Sequence, residues 1–187
     1  MSFNFADGST QTTASGILEK IWVPCDGRTI TTKSGNNMSI TNVTGLQTFP
    51  GTNYYDLNGS SIVYTPPTGT TLVIYEYAFQ TCRWDAHGIA HFKFQIDSTE
   101  IVNSYFCLSV HQQLEDICHF KFPINIGGST NNNTGQLASW GSSRTLVLRG
   151  RRYGGSNEQR IHMTEYSDGS GTQRFHGPCV GVTAIAA

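Results

Sequence analysis

Histidine and cysteine are the first residue types to test for chemistry, because the chain carries six of one and five of the other. His87 and His91 stand four apart, which would put two metal ligands on one face of a helix. On a strand that spacing covers roughly 13 Å, at about 3.3 Å per residue, too far to share one ion. Cys107 and His111 are stretched apart in the same way. Cys118 and His119 point to opposite faces, and no Cys-x-x-Cys occurs. The sequence therefore predicts no metal site and no cofactor. A Ser or Cys nucleophile needs a base beside it. Ser109 and His111 share a strand face, a spacing typical of a surface pair, and the Gly-x-Ser-x-Gly elbow is absent. The carboxylates Asp85, Asp97, Glu100, Glu158, Glu165 and Asp168 fall in or beside turns, where they cap backbone groups or are solvated. They form no evident pair for glycoside hydrolysis. No phosphate loop or dinucleotide fingerprint is present, so no catalytic residue is assigned and the chain does not read as an enzyme.

Two polar constellations remain. Arg149, Arg151, Arg152 and Tyr153 either bond carboxylates on a neighbouring subunit, as Arg and Tyr do at interface hot spots, or form an Arg row on an exposed sheet face. Trp22, Trp84 and Trp140 are candidates for stacking on a sugar, with the exposed loop Thr130–Gly135, which contains Asn132, beside them as a recognition loop.

The elements that would position these residues are strands. Charged residues make up 13% of the 187, against about a quarter in an average soluble domain. Ser, Thr, Asn, Gln and Gly must cover the surface instead. Twenty Gly suit many tight turns, and 10 Phe, 8 Tyr and 3 Trp favour strands. Period-two alternation or β-rich runs mark Ile17–Val23, Met38–Val43, Ser61–Thr65, Thr71–Gln80, His91–Asp97, Tyr105–Val110, Ile117–Ile126, Arg144–Arg152, Gln159–Tyr166 and Pro178–Ala187. Val73, Tyr75, Tyr77 and Phe79 share one face and read as a core stripe. Asp97–Glu100 reads as the turn of a hairpin, and Pro123 places its strand at an edge or a bulge. The weak helical candidate is Gln112–Asp116, about one turn long. Short strands at regular spacing predict an all-β fold, an antiparallel β-sandwich or jelly roll. The small residues Val182 and Ala184 in the last strand suit either a buried central strand or close approach of another subunit near a symmetry axis.

Residues 1–16 are polar, with Phe3, Phe5 and Asp7 among them, and lack a core-forming period. They read as an extended N-terminal arm on a single domain, 17–187. The formal net charge of −1 gives no basic field for nucleic acid or an anionic membrane. No run approaches the roughly 18–20 apolar residues of a membrane span. The start lacks signal-peptide character, so the expectation is folding in a cytosol, with five unpaired, reduced core cysteines.

Four stretches carry a resemblance: Asp56–Thr70 (Asp-Leu-Asn-Gly-Ser-Ser-Ile-Val-Tyr-Thr-Pro-Pro-Thr-Gly-Thr), Asp85–Phe92, Gly135–Trp140 and Arg152–Glu158. The closing strand Val180–Ala186 fits as well. Together they resemble virion surface proteins of aquatic bacteriophages and algal viruses, of the trimeric jelly-roll type seen in tumour necrosis factor and complement globular heads. The resemblance implies a homotrimer on the virion exterior, made in the host cytoplasm, that decorates a capsid as a minor capsid protein. Its partners would be itself and the major capsid protein or other virion proteins. The arm, through Phe3, Phe5 and Asp7, would help anchor it. Tyr75, Tyr77, Arg149, Arg151, Tyr153, Val182 and Ala184 are the candidate trimer-interface residues. The alternative is a receptor-binding tip of a tail or head fibre, recognising host surface glycan through Trp84, Trp140 and Asn132.

Overall fold

Alternation along the chain is resolved by two antiparallel sheets packed face to face. The computed structural model describes residues 3–4, 10–11, 16–83, 87–111, 115–154, 159–164 and 173–186. The principal strands are β1 (Gly16–Pro24), β2 (Tyr55–Asp56), β3 (Ile62–Tyr64), β4 (Leu72–Arg83) and β5 (His87–Ile96). They continue with β6 (Phe106–His111), β7 (Asp116–Asn125), β8 (Arg144–Arg152) and β9 (Cys179–Ala186). The first sheet runs β1–β9–β4–β7, and Gln159–Ile161 extends it beside the far end of β4. In the second sheet β2 and β3 both pair with β8, β8 pairs with β5, and β5 with β6. The first strand thus lies beside the last, and β2/β3 beside β8. Strands from the two halves of the chain alternate in each sheet, which is a jelly-roll winding. The predicted all-β sandwich is what the chain forms. Among the described residues the only helical element is the 3₁₀ turn Val102–Ser104.

The core lies between the sheets and is built on aromatic rings. Val73, Tyr75, Tyr77 and Phe79 of β4 are fully buried, as are Phe92 and Phe94 of β5. Ring centroids of Tyr75 and Phe94 stand 4.8 Å apart across the layers, and those of Phe79 and Phe92 5.7 Å. Tilted and edge contacts of this kind add to the area that the rings remove from water. The small residues of β9 make this possible. Val180, Val182 and Ala184 sit in register beside Tyr77, Tyr75 and Val73, leaving room for the two tyrosines. Their hydroxyls donate to carbonyls between β2 and β3, Tyr75 to Ser60 O at 2.5 Å and Tyr77 to Asn58 O at 2.6 Å. This corrects four interface candidates. Tyr75, Tyr77, Val182 and Ala184 are spent on the core of one protomer and present no surface to another. Gly181, on the opposite face of β9, is required by close approach: a Cβ there would stand 2.0 Å from the Ile21 carbonyl oxygen.

The sheets are also joined by a polar contact. Glu19 on β1 is buried, and its carboxyl oxygens accept from Tyr64 Oη of β3 at 2.7 Å and from Lys33 N at 2.6 Å.

Several expectations hold locally. Asp97 and Ser98 adopt φ of 52° and 73°, closing the expected hairpin between Ile96 and Thr99 as a turn whose twist matches its strands. Pro123 lies on β7, the edge of its sheet, where a missing N–H is tolerated. Others do not hold. The run Gln159–Tyr166 is interrupted at His162, whose φ is 70°, into Gln159–Ile161 and Met163–Thr164. Met38–Val43 supplies only Asn37–Ser39 as strand. Cys25 and Cys82 are core residues, but Cys107 is exposed and Cys118 and Cys179 are half-buried. In the arm, Phe3–Asn4 pairs antiparallel with Thr10–Gln11, so it is folded back there rather than extended. Phe5 and Asp7 lie outside the described residues, as does most of the helical candidate Gln112–Asp116.

Candidate functional site

Both sheets end on the same side of the sandwich, at β6 and β7. Among the described residues β6 pairs only with β5, and β7 only with β4. Between them lies a slot of about 350 Å³ whose walls include Phe106, Leu108, Phe120 and Phe122. Phe106 and Phe120 stack at 5.4 Å and 15°, and Phe120 and Phe122 at 6.2 Å and 11°. Phe106, Leu108 and Phe122 remain half-buried. At its rim Tyr105 is 45% exposed. The Cys118 thiol at the slot is pushed up to about 11, chiefly by desolvation and then by Asp116, so at neutral pH it is a weak nucleophile. The slot is thus a largely apolar seam with His119 and Lys121 also on its wall. A contiguous apolar patch rimmed by polar residues is what association surfaces present.

The second constellation occupies the outer face of the second sheet. Lys93 on β5 faces Arg149 on β8, and His91 faces Arg151. Like charges opposite one another on a sheet repel, and each is answered by a neighbour. Lys93 pairs with Glu100, and its Nζ lies 4.3 Å from the Tyr54 ring centre. The Arg149 guanidinium sits against Asp56 at 2.7 Å and donates to Tyr54 O at 2.8 Å. The Lys93 contact, then the Tyr105 hydroxyl, hold the Glu100 carboxyl below its usual range. Desolvation first and Glu100 second push the Tyr105 phenol up to about 12. Arg151 lies over the Tyr54 ring at 5.3 Å. His91 stacks on Tyr153 at 5.6 Å, and burial, then the charge of Arg151, depress its pKa. The structure therefore brings Arg149, Arg151 and Tyr153 together on one surface, as the sequence suggested.

The sugar-stacking candidates are not brought together. Trp140 is buried at 7% exposure. Its ring meets Tyr64 edge-on at 6.1 Å and its Nε1 donates to Tyr64 O at 3.3 Å. It is held mainly by structural contacts and lines a cavity with Ser34, Asn36 and Thr65, without Trp22. Asn132 is exposed in its loop and lines a different cavity from Trp140. Trp22 stacks on His119 at 6.5 Å on the outer face of the first sheet, and Trp84 lies outside the described residues. Among the described residues no group of three His, Cys, Asp or Glu is placed to hold a metal ion. Sequence reasoning missed the seam and Tyr54. The alternation of Phe106, Leu108, Phe120 and Phe122 was readable, but which strands end the sheets was not.

No protein-family model matches the chain, and no curated protein matches it. Among solved structures, dimeric latent PorU from Porphyromonas gingivalis superposes with a TM-score of 0.41 at 10% identity, over 98% of this chain. This chain spans 14% of the length of that one.

Proposed function

We propose that this chain is a non-catalytic structural protein of a virion exterior, a homotrimeric capsid decoration or minor capsid protein. The observation that carries the self-association is the open aromatic seam between β6 and β7. A phenylalanine side chain moved fully out of water gains about 1.5–3 kcal/mol, and the seam leaves Phe106 and Phe122 only half-covered. A neighbouring protomer completes that burial. The placement on a particle rests on the resemblance of Asp56–Thr70 and its companion stretches to virion proteins, together with a weakly charged Thr/Asn/Gly surface. The N-terminal segment contributes to anchoring.

Sedimentation velocity over a wide concentration range tests the association. The expected species is a trimer, converted to monomer by Leu108→Lys. A wild-type protein that is monomeric throughout overturns it. Particle binding is tested separately by removing residues 1–16: the truncated protein should still form trimers but fail to load particles. Full occupancy by the truncated protein refutes the anchoring role.

A further inference from the structure

The outer face of the second sheet carries more positive charge than its own carboxylates answer. Lys93 is held by Glu100 and Arg149 by Asp56. Arg151, between them and the end of β8, has no carboxylate partner among the described residues. Among the described residues its guanidinium makes one hydrogen bond, from Nη1 to Arg152 O at 3.4 Å, so most of its five donors have no described partner. The group is pre-positioned by the Tyr54 ring beneath it. Two residues on, Tyr153 is 60% exposed, and His91, the cross-strand neighbour of Arg151, fixes its ring by stacking.

We propose that Arg151, with the rings of Tyr54 and Tyr153 beside it, anchors a site for a carboxylated sugar unit of the uronic-acid type. The planar fork of a guanidinium matches a carboxylate in two parallel hydrogen bonds. A pyranose ring carrying that carboxylate presents an apolar face, and Tyr153 offers the exposed ring to receive it. An acidic peptide fits less well. It binds by adding to a free strand edge or by seating an apolar anchor in a pocket. Here β5 and β8 are both interior strands, paired at Arg151 and Arg149 with each other and flanked by β6 and β2. The cavity beside the charge, lined chiefly by polar residues including Asp56, Gln95, Asp97 and Arg149, offers no seat for an apolar anchor. The site borders the β6–β7 seam at Tyr105, but Arg151 and Tyr153 do not line the seam, so binding does not require the trimer.

Titration calorimetry with oligogalacturonate tests this, with its methyl ester and hexaglutamate as comparison ligands. The acid form should bind. The ester should bind at least about tenfold more weakly, the loss expected for one charge-assisted bidentate pair. Arg151→Gln should abolish the difference between acid and ester, and Tyr153→Ala should weaken the acid form. Arg144→Gln, which removes a cation already paired with Asp97, should leave binding unchanged. Arg151→Lys keeps the charge, loses the fork, and should fall between wild type and Arg151→Gln. Equal affinity for acid and ester, unchanged binding by Arg151→Gln, or binding of hexaglutamate alone overturns the proposal.

Discussion

His162→Asn should remove a specific part of the acid sensitivity of this fold. His162 is fully buried, and neither ring nitrogen makes a hydrogen bond of good geometry. Burial lowers its pKa to about 4, outweighing an opposing pull from the Asn58 backbone, with His176 adding to the lowering, against about 6.5 in an unfolded chain. Above pH 6.5 the residue is neutral in both states and costs nothing. As the pH falls below 6.5 the unfolded chain takes up a proton that the folded chain refuses until about pH 4. Stability is therefore intact at high pH and is lost through that window. Between pH 7.5 and pH 5 the loss is roughly 2 kcal/mol, from about 1.4 kcal/mol per pH unit over most of the interval below 6.5. Asn cannot titrate and tolerates the positive φ of 70° held at this position. Urea unfolding followed by fluorescence at the two pH values measures the difference. The wild type should lose about 2 kcal/mol more than His162→Asn. His91→Gln serves as the control for the other histidine whose pKa is depressed. If wild type and His162→Asn respond equally to pH, the buried ring is not refusing a proton and the argument is wrong.

Gly181→Ala should lower stability by about 3 kcal/mol or more, because the new methyl meets the Ile21 carbonyl and backbone must move; a thermal melt within a degree or two of wild type refutes it. Tyr64→Phe removes the hydroxyl that Glu19 accepts from and leaves the carboxyl buried with Lys33 N as its remaining partner. The expected cost is about 1–3 kcal/mol by denaturant unfolding, and Glu19→Gln in the same background should recover part of it.

How much of this was legible in the sequence follows from what alternation encodes. A period of two says which residues share a face, so Val73, Tyr75, Tyr77 and Phe79 could be read as a stripe and the all-β class followed. It does not say what the stripe meets. Val182 and Ala184 illustrate the gap: small side chains in a strand fit either a subunit axis or a bulky neighbour in the same sheet. The register that puts them beside Tyr75 and Val73 is a long-range fact, linking residues more than a hundred positions apart. Trp140 failed for a related reason. Its indole is satisfied by the Tyr64 carbonyl and ring, a partner set by chain winding rather than by spacing. His162 was invisible because one residue at positive φ breaks a run whose hydrophobic pattern continues on both sides. The Arg149–Tyr153 cluster was readable because it lies within one strand and its end, so local sequence alone decides that Arg149 and Arg151 share a face.

The seam and the cationic strip meet at Tyr105, and that gives the two readings a physical connection. Its ring stands at the rim of the slot between β6 and β7, edge-on to Tyr54 at 6.3 Å. Its hydroxyl donates to the same Glu100 carboxyl that holds Lys93. On the proposed association, a protomer seated in the seam would cover one side of Tyr105 and remove water from that Glu100–Lys93 contact. Loss of solvent strengthens the contact electrostatically, which fixes Lys93 against Tyr54 and, through the Tyr54 ring, the position of Arg151. Under that proposal, association through the seam would stiffen the strip without adding a residue to it. Tyr105→Phe separates the two: it keeps the ring that the seam packs and deletes the bond to Glu100, so it should leave the oligomer intact while loosening the charged face beside it.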